Sequence, residues 1–228
     1  MLTFLFWNLN GKNLISSLAE LVVTHEVDIL ILAECIDPQN LLQSLNLLGK
    51  EAQFHHIPSP LPKHRIQLFT SFLANFAMPF MEDTHYTMRR LTLPGCDEVL
   101  LVAAHLLSLR EATEDTVNEE AKSFADEIRR VEAELGHSRT IVVGDLNLNP
   151  FSNGVVSARG LHGVMTQGIA RKRIEKFRAE SIHFSIILCG SILEIGKFAT
   201  RYLPLQKVRS RMLFLEYLRP SISASSTT

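Results

Sequence analysis

A chain of 228 residues, 46% hydrophobic and 21% charged, has the composition of a folded globular protein and enough length for one core. Three scattered cysteines, Cys35, Cys96 and Cys189, are too few for a disulfide framework or a cysteine zinc site, and no apolar run approaches the roughly 20 residues needed to span a bilayer. A soluble, cytoplasmic protein is expected. The net charge of −1 hides an asymmetry: residues 171–228 hold 11 of the 23 Lys+Arg but 4 of the 24 acids, leaving 12 against 20 in residues 1–170.

The opening Met-Leu-Thr-Phe-Leu-Phe-Trp has no basic residue before it and no cleavage site after it, and Asn8 and Asn10 interrupt it; it is expected to be a strand, not a leader. Leu14, Leu18, Leu21 and Val22 recur at helical spacing, and residues 27–33 (Val-Asp-Ile-Leu-Ile-Leu-Ala) read as a strand buried on both faces, so the chain opens β-α-β. Residues 55–64, interrupted by Pro58, Pro60 and Pro62, read as a loop. Its histidines could bind phosphate or metal, but a solvated loop is the commoner outcome. Residues 99–104 form another buried strand. Val117, Ala121, Phe124, Ile128, Val131 and Leu135 then step by fours and threes, behind a capping box of Thr116 and Glu119 and ahead of Gly136. Residues 140–143 form a last apolar strand that runs into Gly-Asp. No repeat and no boundary is visible before Ala170, and only residues 221–228 are compositionally simple.

Polar side chains recur where apolar strands end, which is where a rigid sheet presents groups to a ligand. The four places are Trp7-Asn8-Leu9-Asn10-Gly11, Leu32-Ala33-Glu34, Ala103-Ala104-His105-Leu106 and Gly144-Asp145-Leu146-Asn147. Singly each is weak, since a Glu after a strand is usually a solvated cap, a lone His a structural residue and Gly-Asp a turn. In this order and spacing they resemble the endonuclease/exonuclease/phosphatase superfamily, over residues 1–170. Gly-Asp-Leu-Asn at 144–147 is the most specific piece. His105 falls where the nuclease and lipase-like branches keep a histidine.

The resemblance implies an α/β fold, a DNase-I-like four-layer α/β/β/α sandwich, and in-line attack of water on a phosphoester, where charge develops on the phosphate oxygens. It makes Glu34 the main carboxylate for Mg²⁺ (or Mn²⁺), with Asn8 beside it. Asp145 would orient and deprotonate the water, Asn147 would hold phosphate or water, and His105 would donate to a phosphate oxygen. Nucleic acid is the leading partner, with no membrane expected. One departure is Asn10, where nucleases of the family often carry Asp; a neutral ligand there shifts the burden onto Glu34.

Family members close on a strand carrying Asp-His, and nothing here supplies that pair: no aspartate follows Asp145, and His162 and His183 are the only later histidines. The fold is therefore expected to be incomplete at its C-terminal side, lacking its closing strands. With ordinary synonymous codons, residues 176–190 read one base earlier can spell Val-Gln-Gly-Arg-Glu-Tyr-Pro-Phe-Phe-Tyr-Asn-Pro-Met-Trp, which resembles a bacterial branch of the family. Residues 214–222, read one base later, can give Phe-Trp-Ser-Ile-Phe-Asp-Gln-Val. Residues 171–228 thus read as an atypical basic tail, out of frame, rather than as a nucleic-acid arm.

The expected function is Mg²⁺-dependent, endonuclease-like hydrolysis of phosphodiester bonds, inactive if the tail is out of frame. The alternatives are a non-catalytic remnant or binding protein, and a phosphatase or lipid phosphodiesterase. A nucleotide-binding β-α-β unit is disfavoured because residues 8–12 lack the glycine spacing of a phosphate loop. The coding DNA across residues 171–223, read in all three frames, is expected to restore the family ending in the other two. Frames that encode nothing family-like would make the tail native.

Overall fold

In β1 (Leu2–Asn8) every residue after Leu2 is buried, which a strand with alternating side chains achieves only when both faces of its sheet are covered. The computed structural model describes residues 2–49, 53–62 and 64–164, and beyond them the backbone of residues 174–177, 180–183, 185–186, 198–199 and 212–217. β1 continues through α1 (Ile15–Thr24) into the wholly buried β2 (Ile29–Ala33), parallel to it with Asn8 opposite Ala33. That is the expected β-α-β opening. α2 (Pro38–Leu48) follows, with Pro38 in its first turn and the Asp37 carboxylate accepting the Asn40 N–H.

β3 (His55–Ile57) corrects the loop expected at residues 55–64. The prolines begin only at Pro58, so the three residues before them can pair antiparallel with β4 (Ile66–Thr70). There the His56 ring stacks on Phe69 at 4.8 Å, and its Nε2 lies 2.8 Å from Gln67 Oε1.

The second sheet runs β5 (Ala77–Glu82), β6 (Tyr86–Leu91), β7 (Val99–His105) and β8 (Thr140–Asp145) in that spatial order. β7 and β8 are parallel, joined by α3 (Glu114–Leu135). α3 starts earlier than the expected Thr116: Thr113 Oγ1 accepts the Thr116 N–H, and Glu114 and Asp115 occupy the first turn, where the helix dipole favours acids. Gly136, at φ 71°, ends it as expected.

The layers follow from period-2 alternation. Leu5, Trp7, Leu30 and Leu32 face α1 and α2, packing on Leu18, Val22, Leu41 and Leu45. Phe4, Phe6, Ile29 and Ile31 face the other way and meet Leu101, Ala103 and Val143 between the sheets. Leu100, Val102 and Ala104 pack on Phe124, Ile128 and Val131 of α3. The result is α/β/β/α. The same parity places Asn8, His105 and Asp145 next in the inward-facing rows of their strands, at one end of the layer between the sheets.

A buried ion pair holds the approach to that end. Arg89 Nη2 donates to Glu82 Oε1 at 2.5 Å, with both side chains under one-tenth exposed. Glu82 also accepts from Thr87 and Ser59, and His64 Nε2 lies 3.4 Å from it. His64 Nε2 is 3.2 Å from the Tyr86 carbonyl as well, and its Nδ1 lies 2.9 Å from the Ile66 carbonyl. The His64 ring is therefore a buried tether rather than part of a solvated loop.

After β8 come α4 (Asn153–Val156) and β9 (Gly163–Val164). In the tail, β10 (Ile174–Phe177) pairs with β11 (Glu180–His183), and β12 (Ser185–Ile186) pairs with β9. β13 (Phe198–Ala199) and β14 (Met212–Tyr217) extend the first sheet, β14 lying antiparallel to β1. The expectation that the tail supplies no closing strand is thus corrected at this edge, where the backbone of β14 pairs with β1 from Leu2 to Trp7. Among the described residues β8 pairs only with β7. No described helix is long and apolar enough to cross a membrane.

Gly144 governs how closely β7 and β8 approach. A Cβ placed there would lie 1.9 Å from the Ala104 carbonyl oxygen, in the register that sets His105 opposite Asp145. Gly144→Ala is expected to lower stability by about 1–3 kcal/mol or more, read as a lower urea midpoint. An unchanged midpoint would mean that the strands separate without cost.

Candidate active site

Four strand ends converge. Asn8 ends β1, Glu34 follows β2, His105 ends β7 and Asp145 ends β8. Asn8, His105 and Asp145 are each less than one-tenth exposed, whereas the Glu34 side chain is 39% exposed. The buried groups form the floor, and Glu34 faces outward.

Asn8 joins the two sheets. Its Nδ2 donates to Asp145 Oδ2 at 3.1 Å and reaches Glu34 Oε1 at 3.4 Å, while its Oδ1 accepts the Asn10 N–H at 2.9 Å. A backbone donor on one side and two carboxylates on the other leave a single sensible orientation of the amide. Asn10 contributes its backbone rather than its side chain, in the left-handed region at φ 50°. Asp145 Oδ1 accepts the Asn147 N–H at 3.2 Å, and Asn147 Nδ2 donates to the Leu106 carbonyl at 2.8 Å. Asn147 thereby ties the end of β8 to the segment after β7.

His105 Nε2 lies 3.5 Å from Glu34 Oε1, and its buried Nδ1 has no hydrogen-bond partner among the described residues. Burial pushes the imidazole below its ordinary range, and the opposing pull of the Asp145 and Glu34 carboxylates does not cancel that. A neutral ring with Nε2–H towards Glu34 follows, able to donate a hydrogen bond but carrying no charge near neutral pH.

Outside this floor lies an open cavity of ≈ 350 Å³ whose walls include Glu34, His64, Arg65, His105 and Glu111. The Arg65 carbonyl accepts the Glu34 N–H at 3.2 Å. Its guanidinium forks onto Glu111, Nη2 to Oε1 at 2.6 Å and Nη1 to Oε2 at 3.2 Å. Glu111 also accepts the Ser108 N–H. The Arg65 fork, reinforced by that N–H, holds the Glu111 carboxyl down to about 2. Neither Arg65 nor Glu111 stood out in the sequence, because each precedes its element in a loop and no periodicity marks it.

No group of three or more His, Cys, Asp and Glu suited to a metal occurs among the described residues. A Mg²⁺ ion asks for less: one or two carboxylates, with water and substrate phosphate completing the shell. An exposed Glu34 with the Asp145 carboxylate on the other side of the Asn8 N–H₂ meets that requirement. Two carboxylates sharing one amide N–H₂ also make a locally negative site that a cation relieves.

No family model matches the sequence, and no curated protein does. Solved structures do match. The endonuclease domain of TRAS1, a telomere-specific non-LTR retrotransposon, superposes with a TM-score of 0.54 at 14% identity, over 95% of this chain and 98% of that one. TDP2 of D. rerio complexed with single-strand DNA product gives 0.51 at 12%, over 94% and 97%. An endonuclease/exonuclease/phosphatase family protein from Leptotrichia buccalis gives 0.51 at 11%, over 96% and 100%. The chain has the DNase-I-like α/β/β/α fold that these structures share.

Glu34 itself sits at φ 54°, a left-handed conformation that costs a non-glycine residue about 1–3 kcal/mol when short polar side chains such as Asn are excepted. A Glu34→Gly variant is therefore expected to be more stable than Glu34→Ala by roughly 1 kcal/mol in urea unfolding. Both lack the carboxylate, so equal midpoints would locate no strain at this residue.

Proposed function

We propose that this chain is a metal-assisted phosphodiesterase acting on nucleic acid. The observation that carries the reading is the convergence of Asn8, Glu34, His105 and Asp145 at one end of the inter-sheet layer. That the D. rerio TDP2 structure holds single-strand DNA product supports nucleic acid as the substrate class.

Glu34 would hold Mg²⁺ or Mn²⁺, joined by the Asn8 amide oxygen once that amide turns over from the orientation in which its N–H₂ faces both carboxylates; the ion when bound would neutralise charge on the phosphate oxygens. Asp145 would act as the base: it is buried, and its orientation is set by the Asn8 and Asn147 N–H groups. His105 would turn its Nε2–H from Glu34 to a non-bridging phosphate oxygen as charge builds. Asn147 keeps its Oδ1 and one N–H for water or phosphate after donating to Leu106.

Two features lower the expected rate. The chain has no Asp-His pair after Asp145, so His105 acts without a second histidine at the leaving group. The acidity of residues 1–170 also opposes tight, non-specific DNA binding. These same features favour a second reading, a phosphoester-binding remnant without turnover.

Supercoiled plasmid incubated with the full chain and Mg²⁺ is expected to be nicked, with Glu34→Gln and Asp145→Asn each slowing nicking by about 10²-fold or more. Nicking that both variants retain would assign it to a contaminant. Intact plasmid with hydrolysis of bis-p-nitrophenyl phosphate, lost in both variants, would move the substrate to smaller phosphodiesters. Neither activity would leave the remnant.

A further inference from the structure

Among the described residues Arg65 is the one arginine lining the cavity, and its backbone is bonded to that of Glu34. The side chain is held ready. Glu111 grips the end of the guanidinium through Nη1 and Nη2, and Glu111 is itself set by the Ser108 N–H at 3.1 Å. A carboxylate gripping the fork of a guanidinium occupies the same geometry that two oxygens of a phosphate would. This pair is about one-third exposed on both sides, and ion pairs that wet contribute little net stability. Its exchange for another anion is therefore easy.

We propose that Arg65 anchors the phosphate of an incoming ligand and that Glu111 is its internal stand-in, holding the guanidinium at the cavity mouth until a phosphate displaces it. The inference rests on the phosphoester reading of the cavity and adds a residue to it. Glu111 is a positioning residue with a selective effect: because it competes for the fork, weak or singly coordinating anions are excluded, while a phosphate with two free oxygens gains both N–H groups at once. It also explains why an acidic site keeps a carboxylate where an anion must enter.

The test is titration of inorganic phosphate into the full chain, freed of metal by a chelator, followed by calorimetry. Arg65→Gln is expected to weaken phosphate binding on the order of tenfold or more. Glu111→Gln is expected to tighten it by roughly two- to five-fold. In the double variant the gain from Glu111→Gln should vanish, because there is no longer a guanidinium to release. Both side chains are partly exposed, so circular dichroism should show each variant folded.

Phosphate binding that Arg65→Gln leaves unchanged overturns the proposal, as does a wild-type chain that binds no phosphate at millimolar concentration. A Glu111→Gln gain that persists without Arg65 overturns the stand-in role, since simple charge repulsion would then account for it. Phosphate binding with this pattern but no hydrolysis of plasmid or bis-p-nitrophenyl phosphate sinks the phosphodiesterase reading and leaves the anchor standing. Hydrolysis together with phosphate affinity indifferent to Arg65 does the reverse.

Discussion

The amide of Asn8 is the constraint on which the site depends. It belongs to the first sheet, yet it donates to Asp145 of the second and reaches Glu34 beside it, so one N–H₂ group holds two carboxylates that would otherwise repel. Its own orientation is fixed from behind by the Asn10 N–H. That arrangement needs the sheets at a set separation, which the packing of Phe4, Phe6, Leu101, Ala103 and Val143 supplies. It also needs β8 pressed against β7, which Gly144 permits.

Charge in the site is divided by depth. Asp145 is buried and oriented by N–H donors, His105 is buried and kept neutral by desolvation, and Glu34 stands at the opening. The Arg65–Glu111 pair lies further out. Beneath Arg65, the buried His64, Glu82 and Arg89 network gives the proline-containing segment a rigid base.

The tail separates two questions that composition had merged. Its basic charge argued for either a nucleic-acid arm or an accident of reading frame, whereas the structure pairs the backbone of β14 with β1. Covering an exposed strand edge asks only for backbone pairing and apolar side chains. The catalytic ending asks for particular residues in particular places, and with no aspartate after Asp145 the chain cannot provide the Asp-His pair.

Apolar pattern alone identified β1, β2 and β7 as buried strands, the helix that closes on Gly136, and the polar residues at the strand ends; β8 is a strand where expected but, with Val142 exposed, is not buried on both faces. Long apolar runs and 3.6-residue periodicity are local signals that survive any packing. β3 and β5 escaped notice because their residues are mixed and partly exposed, and β6 because its buried residues include Thr87 and Arg89, so that pairing with neighbours rather than pattern makes them strands. Only tertiary structure decided that Asn8 faces both carboxylates, that His105 is neutral, and that Arg65 and Glu111 meet across 46 residues at the cavity mouth. Those outcomes depend on distance, burial and competition for hydrogen bonds between segments far apart in the chain, none of which a linear pattern encodes.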